Sequence, residues 1–274
     1  KIGASADPPG LLRQVLPAAE ELLDRHGYGQ DPLNESPAEH QGVIEKYPGR
    51  LLLMVTPACS GHCRFCFRRH LLDTAPALEA QLAAFHRRME GSDDITEVIL
   101  SGGDPLVLSD RRLADWFDEI ARYAFVRRIR IHTREPVFSP ERITPELAAL
   151  LAGAPRPVIV AVHVNHADEL DDETAVALAR LREAGVLLLS QTVLLRGVND
   201  SFERLAALYE RAVDCGVLPY YLHQLDRVAG AAHFEVEPES GRALIRQLQR
   251  SLPGYLVPRY VEEVPGEPGK SPLA

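Results

Sequence analysis

The chain has 274 residues, and its 30 Lys and Arg against 39 Asp and Glu give a formal net charge of −9 at pH 7. This acidic balance argues against a protein that coats nucleic acid or anionic membranes, and a hydrophobic content of 46% excludes a disordered chain. No apolar run reaches the ~18 residues that a membrane span requires, and the first residues carry no secretory signal pattern. We therefore expect a soluble cytoplasmic protein without a nucleic-acid or membrane partner.

The first 48 residues differ in pattern from the rest of the chain. They hold scattered turn signals and one helical stretch from about Leu11 to His26, so we interpret residues 1–49 as an N-terminal arm. From residue 50 onward, short apolar runs alternate with helical stretches. The predicted strands are Leu51–Val55, Glu97–Leu100, Arg128–His132, Val158–His163, Val186–Ser190 and Leu218–Leu222. The predicted helices lie at about 75–90, 109–122, 145–152, 171–184 and 201–214.

This alternation of strands and helices predicts an α/β fold with a parallel sheet and right-handed crossovers. Most of the runs are apolar at successive positions, as expected of strands that are buried on both faces. About six βα units fit either a partial barrel or an open, doubly wound sheet, and periodicity does not separate the two.

Reactive side chains follow nearly every predicted strand. These groups are Cys59 to Cys66, Ser101 to Asp104, His132 to Arg134, then His163, Asn165 and His166, then Gln191, and finally His223 and Asp226. The C-terminal ends of barrel strands converge on one mouth, where barrel enzymes place their chemistry. Contributions from every strand therefore favour the partial barrel.

Three of the four cysteines are clustered, at Cys59, Cys63 and Cys66, in the spacing C-x3-C-x2-C. Three thiolates in one loop suit a [4Fe–4S] cluster whose fourth iron stays open to another ligand. A zinc site with His62 as the fourth ligand is an alternative. A purely structural cysteine cluster is disfavoured because the loop is rich in Arg and His. Cys215 follows a predicted helix and is interpreted as a packed thiol.

The cysteine motif and its surroundings resemble the lysine 2,3-aminomutase family of the radical S-adenosylmethionine (SAM) superfamily. The motif runs from Thr56 through the three cysteines to His70, and the resemblance covers nearly the whole chain. Further matching segments are 100–106, 130–134, 164–169, 191–200, 219–226, 230–234 and 265–272. Within the family, the chain looks most like the bacterial subgroup that acts in the modification of elongation factor P.

The resemblance implies a partial (β/α)6 barrel of the radical SAM type over residues 50–235. A C-terminal segment, 236–274, is expected to carry the lysine that binds pyridoxal 5′-phosphate (PLP). The implied cofactors are a [4Fe–4S] cluster, SAM and PLP. The implied partners are L-lysine as substrate and an electron donor of the flavodoxin or ferredoxin type, and the resemblance is compatible with a homo-oligomer.

The resemblance also implies roles for individual residues. The cluster is expected at Cys59, Cys63 and Cys66, and SAM at Ser101, Gly102, Gly103, Asp104 and Arg134, with Asp104 on the methionyl ammonium. PLP is expected on Lys270, with its phosphate at Lys46 and Arg50 and its ring near His223. The substrate carboxylate is expected at Arg68 and its ε-ammonium at Asp226 and Glu263. The residues expected to face the cofactors without a fixed role are His132, His163, Asn165, His166 and Gln191.

Three positions depart from the family pattern. Glu263 stands where the free-lysine enzymes have Asp, which keeps the pocket acidic but moves the charge. Lys46 stands where the clostridial-type enzymes have Arg, so a point charge replaces a bidentate contact. His223 replaces a family Tyr, a change shared with the elongation factor P subgroup. These departures bear on selectivity for substrate length rather than on the type of reaction.

The expected function is an L-lysine 2,3-aminomutase, an isomerase that makes β-lysine, expected as the R isomer, for the modification of elongation factor P. An aminomutase for free lysine or another amino acid, in osmolyte synthesis or catabolism, is the alternative within the class. The first is favoured because the sequence stops soon after Lys270, without the extension typical of the clostridial-type enzymes. A zinc-binding structural protein is the alternative from another class.

Overall fold

The computed structural model describes residues 8–36, 40–74, 76–91 and 93–274. Its strands are β1 (Val43–Tyr47), β2 (Arg50–Thr56), β3 (Glu97–Gly102), β4 (Arg128–Thr133), β5 (Val158–His163), β6 (Leu187–Val193), β7 (Leu218–His223), β8 (Arg259–Glu262) and β9 (Ser271–Pro272). Its α-helices are α1 (Pro8–Arg13), α2 (Leu78–Glu90), α3 (Asp110–Ala121), α4 (Glu135–Phe138), α5 (Pro145–Ala152), α6 (Asp172–Glu183), α7 (Phe202–Asp214) and α8 (Pro238–Ser251). Residues 1–7 and 37–39 of the predicted arm and residue 75 of a predicted helix lie outside the described residues.

Within the described residues, the strands form one sheet in sequential order from β1 to β9. Strands β2 to β8 pair in parallel, whereas β1 and β9 add at the two edges in antiparallel fashion. A doubly wound sheet reverses its strand order at a switch point, but this order never reverses. The expectation of a partial α/β barrel is confirmed.

The two faces of the sheet pack against different partners, and β2 shows how. Leu51 and Leu53 belong to the large core that the helices cover. Leu52 and Met54 point the other way and pack with Ile99 of β3 and Ile44 of β1 in a small inner cluster. Both faces are therefore buried, which explains the uninterrupted apolar runs of the sequence. The inner face is the one that reaches the functional cavity described below.

Side-chain caps fix where most of the long helices begin. Ser109, Thr144, Asp171 and Ser201 each accept a hydrogen bond from a backbone N–H in the first turn of α3, α5, α6 and α7. Such a cap satisfies one of the N–H groups that a helix start leaves without a partner. The predicted helices therefore match the observed ones closely in this part of the chain. Among the described residues, no helix combines the length and apolar character needed to cross a bilayer.

The arm departs from the prediction of one helix over residues 11–26. Helix α1 ends at Arg13, and a separate 3-10 turn forms at Ala19–Leu22. Pro17 is the physical reason, because its ring clashes with the carbonyl of residue 13 in a continuous helix and its nitrogen donates no hydrogen bond. The prediction also missed β1, β8, β9 and α8, which lie at the ends of the chain's regular pattern.

The packing of α8 on β8 leads to a stability prediction at Gly241. A Cβ atom added there would lie 2.2 Å from the Tyr260 hydroxyl, which is buried. We expect Gly241→Ala to lower the free energy of unfolding by about 1–3 kcal/mol through overpacking. The matched control is Gly254→Ala, where an added Cβ meets nothing within 4 Å. Urea denaturation of both variants measures the difference, and equal midpoints would contradict the packing argument.

Candidate active site

A cavity of about 220 Å³ opens at the C-terminal ends of the parallel strands. Strands β2 to β8 all contribute to its wall, either directly or through the loops that follow them. The predicted site residues that line it are Lys46, Arg50, Cys59, Cys63, Cys66, Arg68, Ser101, Gly102, Gly103, Asp104, His132, Arg134, His163, Gln191, His223, Asp226, Glu263 and Lys270. The structure therefore brings together residues that are more than 200 positions apart in sequence.

The three cysteines lie on one loop between β2 and α2, and all three line the cavity. Within that loop, Cys66 N donates a hydrogen bond to Cys63 O at 3.1 Å. Burial raises the pKa of Cys59 to about 12 and that of Cys66 to about 11, so both thiols hold their protons at neutral pH in the metal-free protein. A metal ion that these thiols bound as thiolates would therefore displace their protons.

The first turn after β3 holds the beginning of the cysteine loop. Gly103 N donates to Thr56 O at 2.7 Å, and Asp104 N donates to Ala58 O at 2.8 Å. A Cβ atom at Gly103 would lie 2.2 Å from Ala58 O, and Gly102 has a φ of +109°. The close approach of the cysteine loop is thus a structural reason for both glycines, and their predicted approach to SAM stays a prediction.

The Asp104 carboxylate ties the end of β3 to the end of β4. Its Oδ1 accepts from Thr133 Oγ1 at 2.6 Å and Leu106 N at 3.0 Å. Its Oδ2 accepts from Arg134 N at 2.6 Å and Glu135 N at 3.1 Å. These bonds use the roughly four lone-pair sites of a carboxylate. An ammonium at Asp104, as the sequence predicts for SAM, would therefore displace one of these donors.

Glu35 forms buried ion pairs with Lys46 and Arg68, two cations that are predicted to bind ligands. It is 1% exposed. Lys46 Nζ donates to its Oε1 at 2.7 Å, and Arg68 Nε donates to its Oε2 at 2.7 Å. Burial acts to raise the pKa of Glu35, but Arg68 and Lys46 outweigh burial and lower that pKa. Arg68 also donates to Ser101 Oγ at 2.9 Å, which fixes its guanidinium at the cavity wall.

A second carboxylate, Glu263, holds Lys270. Lys270 Nζ donates to Glu263 Oε2 at 2.5 Å and lies 5.7 Å from the centre of the Tyr221 ring. The Tyr47 hydroxyl donates to Glu263 Oε1 at 2.8 Å, and Lys46 forms a further ion pair with the same oxygen. Burial acts to raise the pKa of Glu263, but Lys270 and Lys46 lower it well below its usual range. Lys270, the predicted PLP lysine, is therefore ion-paired with Glu263, which is predicted to bind the ε-ammonium of the substrate.

Asp226 differs from the other two carboxylates. Burial, with the charge of Glu263 beside it, raises the pKa of Asp226 to about 7, although Lys270 and Lys46 oppose the shift. Its carboxyl is therefore close to half-protonated at neutral pH. Two nearby carboxylates with pKa values far apart are a common sign of a functional site.

The imidazoles at the cavity are neutral. Burial lowers the pKa of His132 and His223 well below the ordinary value and that of His163 to about 3, and neighbouring cations act in the same direction. Within the described part of the chain, His132 Nε2 and His163 Nε2 are buried without a hydrogen-bond partner, as are Arg130 Nε and Arg134 Nε. All four residues line the cavity. Buried polar atoms without partners are rare in proteins, so these atoms fit a polar ligand.

Asn165 does not face the cavity, which corrects the prediction made for it. It is fully buried. Its Nδ2 donates to Gln14 Oε1 at 2.9 Å, and its Oδ1 accepts from Val193 N at 2.8 Å. His166 also lies outside the lining, and its Nδ1 accepts from Asp168 N. After β5 the Asn165 side chain therefore links the end of this strand to the end of β6 instead of facing the cavity.

Arg134 is held by protein groups on three sides. Its Nη1 donates to Cys63 Sγ at 2.8 Å, and its Nη2 donates to Gln14 Oε1 at 2.5 Å and Glu169 Oε1 at 2.9 Å. Its guanidinium also lies 4.6 Å from the centre of the Phe138 ring. Only Nε remains without a partner among the described residues. The predicted contact with SAM stays a prediction, with Nε as the donor available for it.

Several residues of the site were missed from sequence. Glu35 and Gln14 lie in the arm, where no motif marks them, and Tyr47 precedes the first predicted strand. Tyr220 and Tyr221 were part of a matching segment, but their type is common in strands. In the sequence, Glu35 is a single acidic residue between turn residues, and this pattern is too common to predict a functional role.

The donor set fits the cofactors that the sequence implies. Three thiols on one loop border the cavity, and Arg134 and His163, each with an unpartnered ring or guanidinium nitrogen, line it with them. Lys270 lies at the opposite end of the chain and reaches the same cavity with the cations Lys46 and Arg50. His62, the fourth ligand of the zinc alternative, is not among the residues that line the cavity.

The hydrogen bonds of Asp104 lead to a second stability prediction. Asp104→Asn would turn one amide N–H toward backbone N–H donors that now reach a carboxylate oxygen. We expect the free energy of unfolding to fall by about 1–3 kcal/mol. Asp118→Asn, at an exposed position of α3, is the matched control with the same change of charge. Equal denaturation midpoints for the two variants would show that the Asp104 bonds contribute nothing to stability.

Comparison with known proteins places this site in a family. Residues 53–209 match the model of the radical SAM superfamily. The L-lysine 2,3-aminomutase of Escherichia coli (strain K12) is 42% identical over 99% of this chain and 79% of its own length. The L-lysine 2,3-aminomutase of Haemophilus influenzae is 39% identical over 98% of this chain and 80% of its own length.

Among solved structures, Streptococcus suis SuiB has the same fold with a TM-score of 0.57, at 15% identity over 83% of this chain and 52% of that one. The family implies a [4Fe–4S] cluster, SAM and PLP as cofactors, in agreement with the donor set of the cavity. The chain belongs to the radical SAM superfamily and, within it, to the L-lysine 2,3-aminomutase family of isomerases.

Proposed function

We propose that this enzyme depends on PLP and converts L-lysine to (R)-β-lysine, in the cytoplasm, for the modification of elongation factor P. One observation carries the proposal: Lys270 and the three cysteines, from distant parts of the chain, line the same cavity. A lysine that binds PLP and a loop that binds a cluster have to face one substrate if both cofactors act on it.

Each cofactor has its own set of residues in this proposal. Cys59, Cys63 and Cys66 hold the cluster, while Ser101, Gly102, Gly103, Asp104 and Arg134 surround SAM. Lys270 carries PLP, Lys46 and Arg50 bind its phosphate, and His223 lies near its ring. When bound, the cluster and SAM supply a carbon-centred radical by one-electron reduction, and PLP supplies a π-system that stabilises an unpaired electron. A small electron-transfer protein of the flavodoxin or ferredoxin type is the proposed reductant.

The charges of the site match the charges of lysine. Arg68 is a planar donor that suits the bidentate geometry of an α-carboxylate. Asp226 and Glu263, which line the same cavity, supply acceptors for the ε-ammonium. Arg68 is already oriented by Glu35 and Ser101, so its guanidinium loses little freedom when the substrate binds. Recognition therefore depends on the separation of the two charged groups of the substrate.

The neutral imidazoles protect the reaction from unwanted proton transfer. His132, His163 and His223 all have a lowered pKa, so they stay neutral throughout the physiological range. The protein contributes positioning and the exclusion of water rather than acid–base catalysis. Gln191 lines the cavity with these imidazoles, and its proposed role is to orient a bound cofactor by hydrogen bonding.

The link to elongation factor P is supported by sequence features near the substrate. His223, where the family commonly has Tyr, is shared with the subgroup that modifies elongation factor P, and the 222–234 and 265–272 segments resemble that subgroup. Glu263, in place of Asp, is tied to Lys270 and Tyr47 in the structure. An aminomutase for free lysine in osmolyte synthesis or catabolism is the second candidate. The proposed lysine contacts of Arg68 and Asp226 support both candidates equally, because the substrate is the same.

The activity is tested with the full chain under anaerobic conditions. The protein is reconstituted with iron and sulfide and supplied with PLP, SAM, dithionite and L-lysine, and chiral derivatisation with mass spectrometry identifies the product. We expect (R)-β-lysine from the wild type and none from Lys270→Ala, which still forms 5′-deoxyadenosine. Reductive 5′-deoxyadenosine formation without β-lysine would reject lysine as the substrate. A colourless protein that holds one zinc ion would reject the entire assignment.

The raised pKa of Asp226 predicts a pH dependence of lysine binding. Below about pH 7 the carboxyl is neutral in the free protein, so pairing with an ammonium requires it to lose its proton. We expect lysine binding to release more protons at pH 6 than at pH 8, and affinity to rise with pH until about 7. Calorimetry of the reconstituted protein without reductant, in buffers of different ionisation enthalpy, measures the release. An unchanged release in Asp226→Asn would contradict the assignment.

A further inference from the structure

The loop that carries the three cysteines has no α-helix or strand of its own. Residues 57–71 form turns, with Arg69 N donating to Cys66 O at 3.2 Å and Leu71 N donating to Arg68 O at 2.8 Å. Such local bonds shape the loop but do not fix it on the barrel. A [4Fe–4S] cluster requires its three thiolates to be held at the same time. The contacts that hold the loop from outside are therefore as relevant to the cluster as the cysteines.

The N-terminal arm makes two such contacts. The first is at Gln14, just after α1, which is 1% exposed. Its backbone carbonyl accepts from Arg64 N at 2.8 Å, one residue after Cys63. Its side chain accepts from Arg134 Nη2 at 2.5 Å, and Arg134 donates in turn to Cys63 Sγ. Gln14 therefore touches the middle of the loop directly and also orients the side chain that contacts a cysteine sulfur.

The second contact is at Glu21, in the 3-10 turn of the arm. Its side chain is 7% exposed. Arg64 Nε donates to Glu21 Oε1 at 2.9 Å, and Arg69 Nη2 donates to Oε2 at 2.7 Å. Arg69 Nη1 also donates to Arg64 O at 2.8 Å. One carboxylate thus joins two arginines that flank Cys66 on either side, and charge-assisted bonds of this kind are the stronger ones in proteins.

We propose that the N-terminal arm clamps the cysteine loop and that Glu21 is a positioning residue for the iron–sulfur cluster. The clamp acts through Arg64 and Arg69, so its effect is on how long the three cysteines stay in place, and it takes no part in the reaction. The inference rests on the cluster that the family implies, and it is independent of the substrate proposed above.

The chain offers a matched control one residue away. Glu20 lies on the same turn and is exposed, so Glu20→Gln and Glu21→Gln change the net charge equally. The 274-residue chain is reconstituted with iron and sulfide, without lysine or PLP, and exposed to excess ferrous chelator. Loss of the cluster absorbance gives the rate at which iron leaves the three cysteines, and this measurement needs no enzymatic turnover.

We expect Glu21→Gln to release iron about tenfold faster than the wild type, a change of about 1.4 kcal/mol, because the variant loses charge-assisted hydrogen bonds to Arg64 and Arg69. Glu20→Gln is expected to match the wild type within about twofold, since surface substitutions of this kind have small effects. Equal rates for Glu21→Gln and Glu20→Gln would overturn the proposal.

The Arg64→Gln variant keeps the proposal falsifiable if Glu21→Gln folds poorly, since an iron release rate equal to that of the wild type would overturn the clamp. Arg64→Gln alone should also release iron faster than the wild type. Where both single variants fold, the double variant should release iron no faster than Glu21→Gln, because the Arg64–Glu21 bond is already lost in that variant. Multiplicative effects would show that Glu21 does not act through Arg64 and would overturn the clamp. A wild-type chain that assembles no cluster would overturn the cluster assignment and the clamp together, which differs from the absence of β-lysine.

Discussion

Asp104, through its carboxylate and its backbone N–H, joins the ends of three neighbouring strands, and the geometry of the site depends on it. Its four hydrogen bonds fix the start of the segment after β4, while its backbone N–H holds Ala58 at the start of the cysteine loop. Arg134 begins at this junction, so its guanidinium is directed toward Cys63 by the same contacts. Burial raises the pKa of Asp104, and its hydrogen bonds oppose that shift. A carboxylate in this environment is stable only because every lone pair has a donor.

The second constraint on the site is charge compensation. Lys46, Arg68 and Lys270 line a cavity that is largely removed from water, and charges in such a place need partners. Glu35 and Glu263 supply them, each bound by two cations. Removing one member would leave its partner buried and unpaired, which costs more than the pair itself contributes. The network therefore behaves as a unit, and no single pair describes its energy.

The parts of this structure that the sequence predicted are those with a regular pattern or a rare residue combination. Strand β5 and helix α5 were predicted at their observed bounds, because a buried apolar run and a Thr-Pro start are strong local signals. The spacing of Cys59, Cys63 and Cys66 predicts a metal site, and Lys270 is predicted because the segment around it resembles the family. Helix α8 is amphipathic but followed a long irregular stretch, so its periodicity was overlooked.

Residues such as Glu35, Gln14 and Glu21 carry no such signal. Their roles depend on which cation or loop they meet after folding, and those partners lie far away in sequence. The error at Asn165 has the same origin. Its position after β5 was correct, but the direction of its side chain is set by the loop that follows and by Gln14. Local periodicity records which face of an element is buried, whereas long-range polar partners are decided by the tertiary fold.

The internal ion pairs also bear on the ligand binding that we propose for this site. In the free protein, Glu35 binds Lys46 and Arg68, the two cations proposed for a phosphate and a carboxylate. A ligand anion that arrives at either cation therefore shares or replaces an existing partner, and its net gain is the difference between the two interactions. A ligand with only one of the required charges leaves part of the network unbalanced. The site thus favours molecules whose anionic and cationic groups are both present at the right separation, which is a property of a zwitterionic diamine such as lysine.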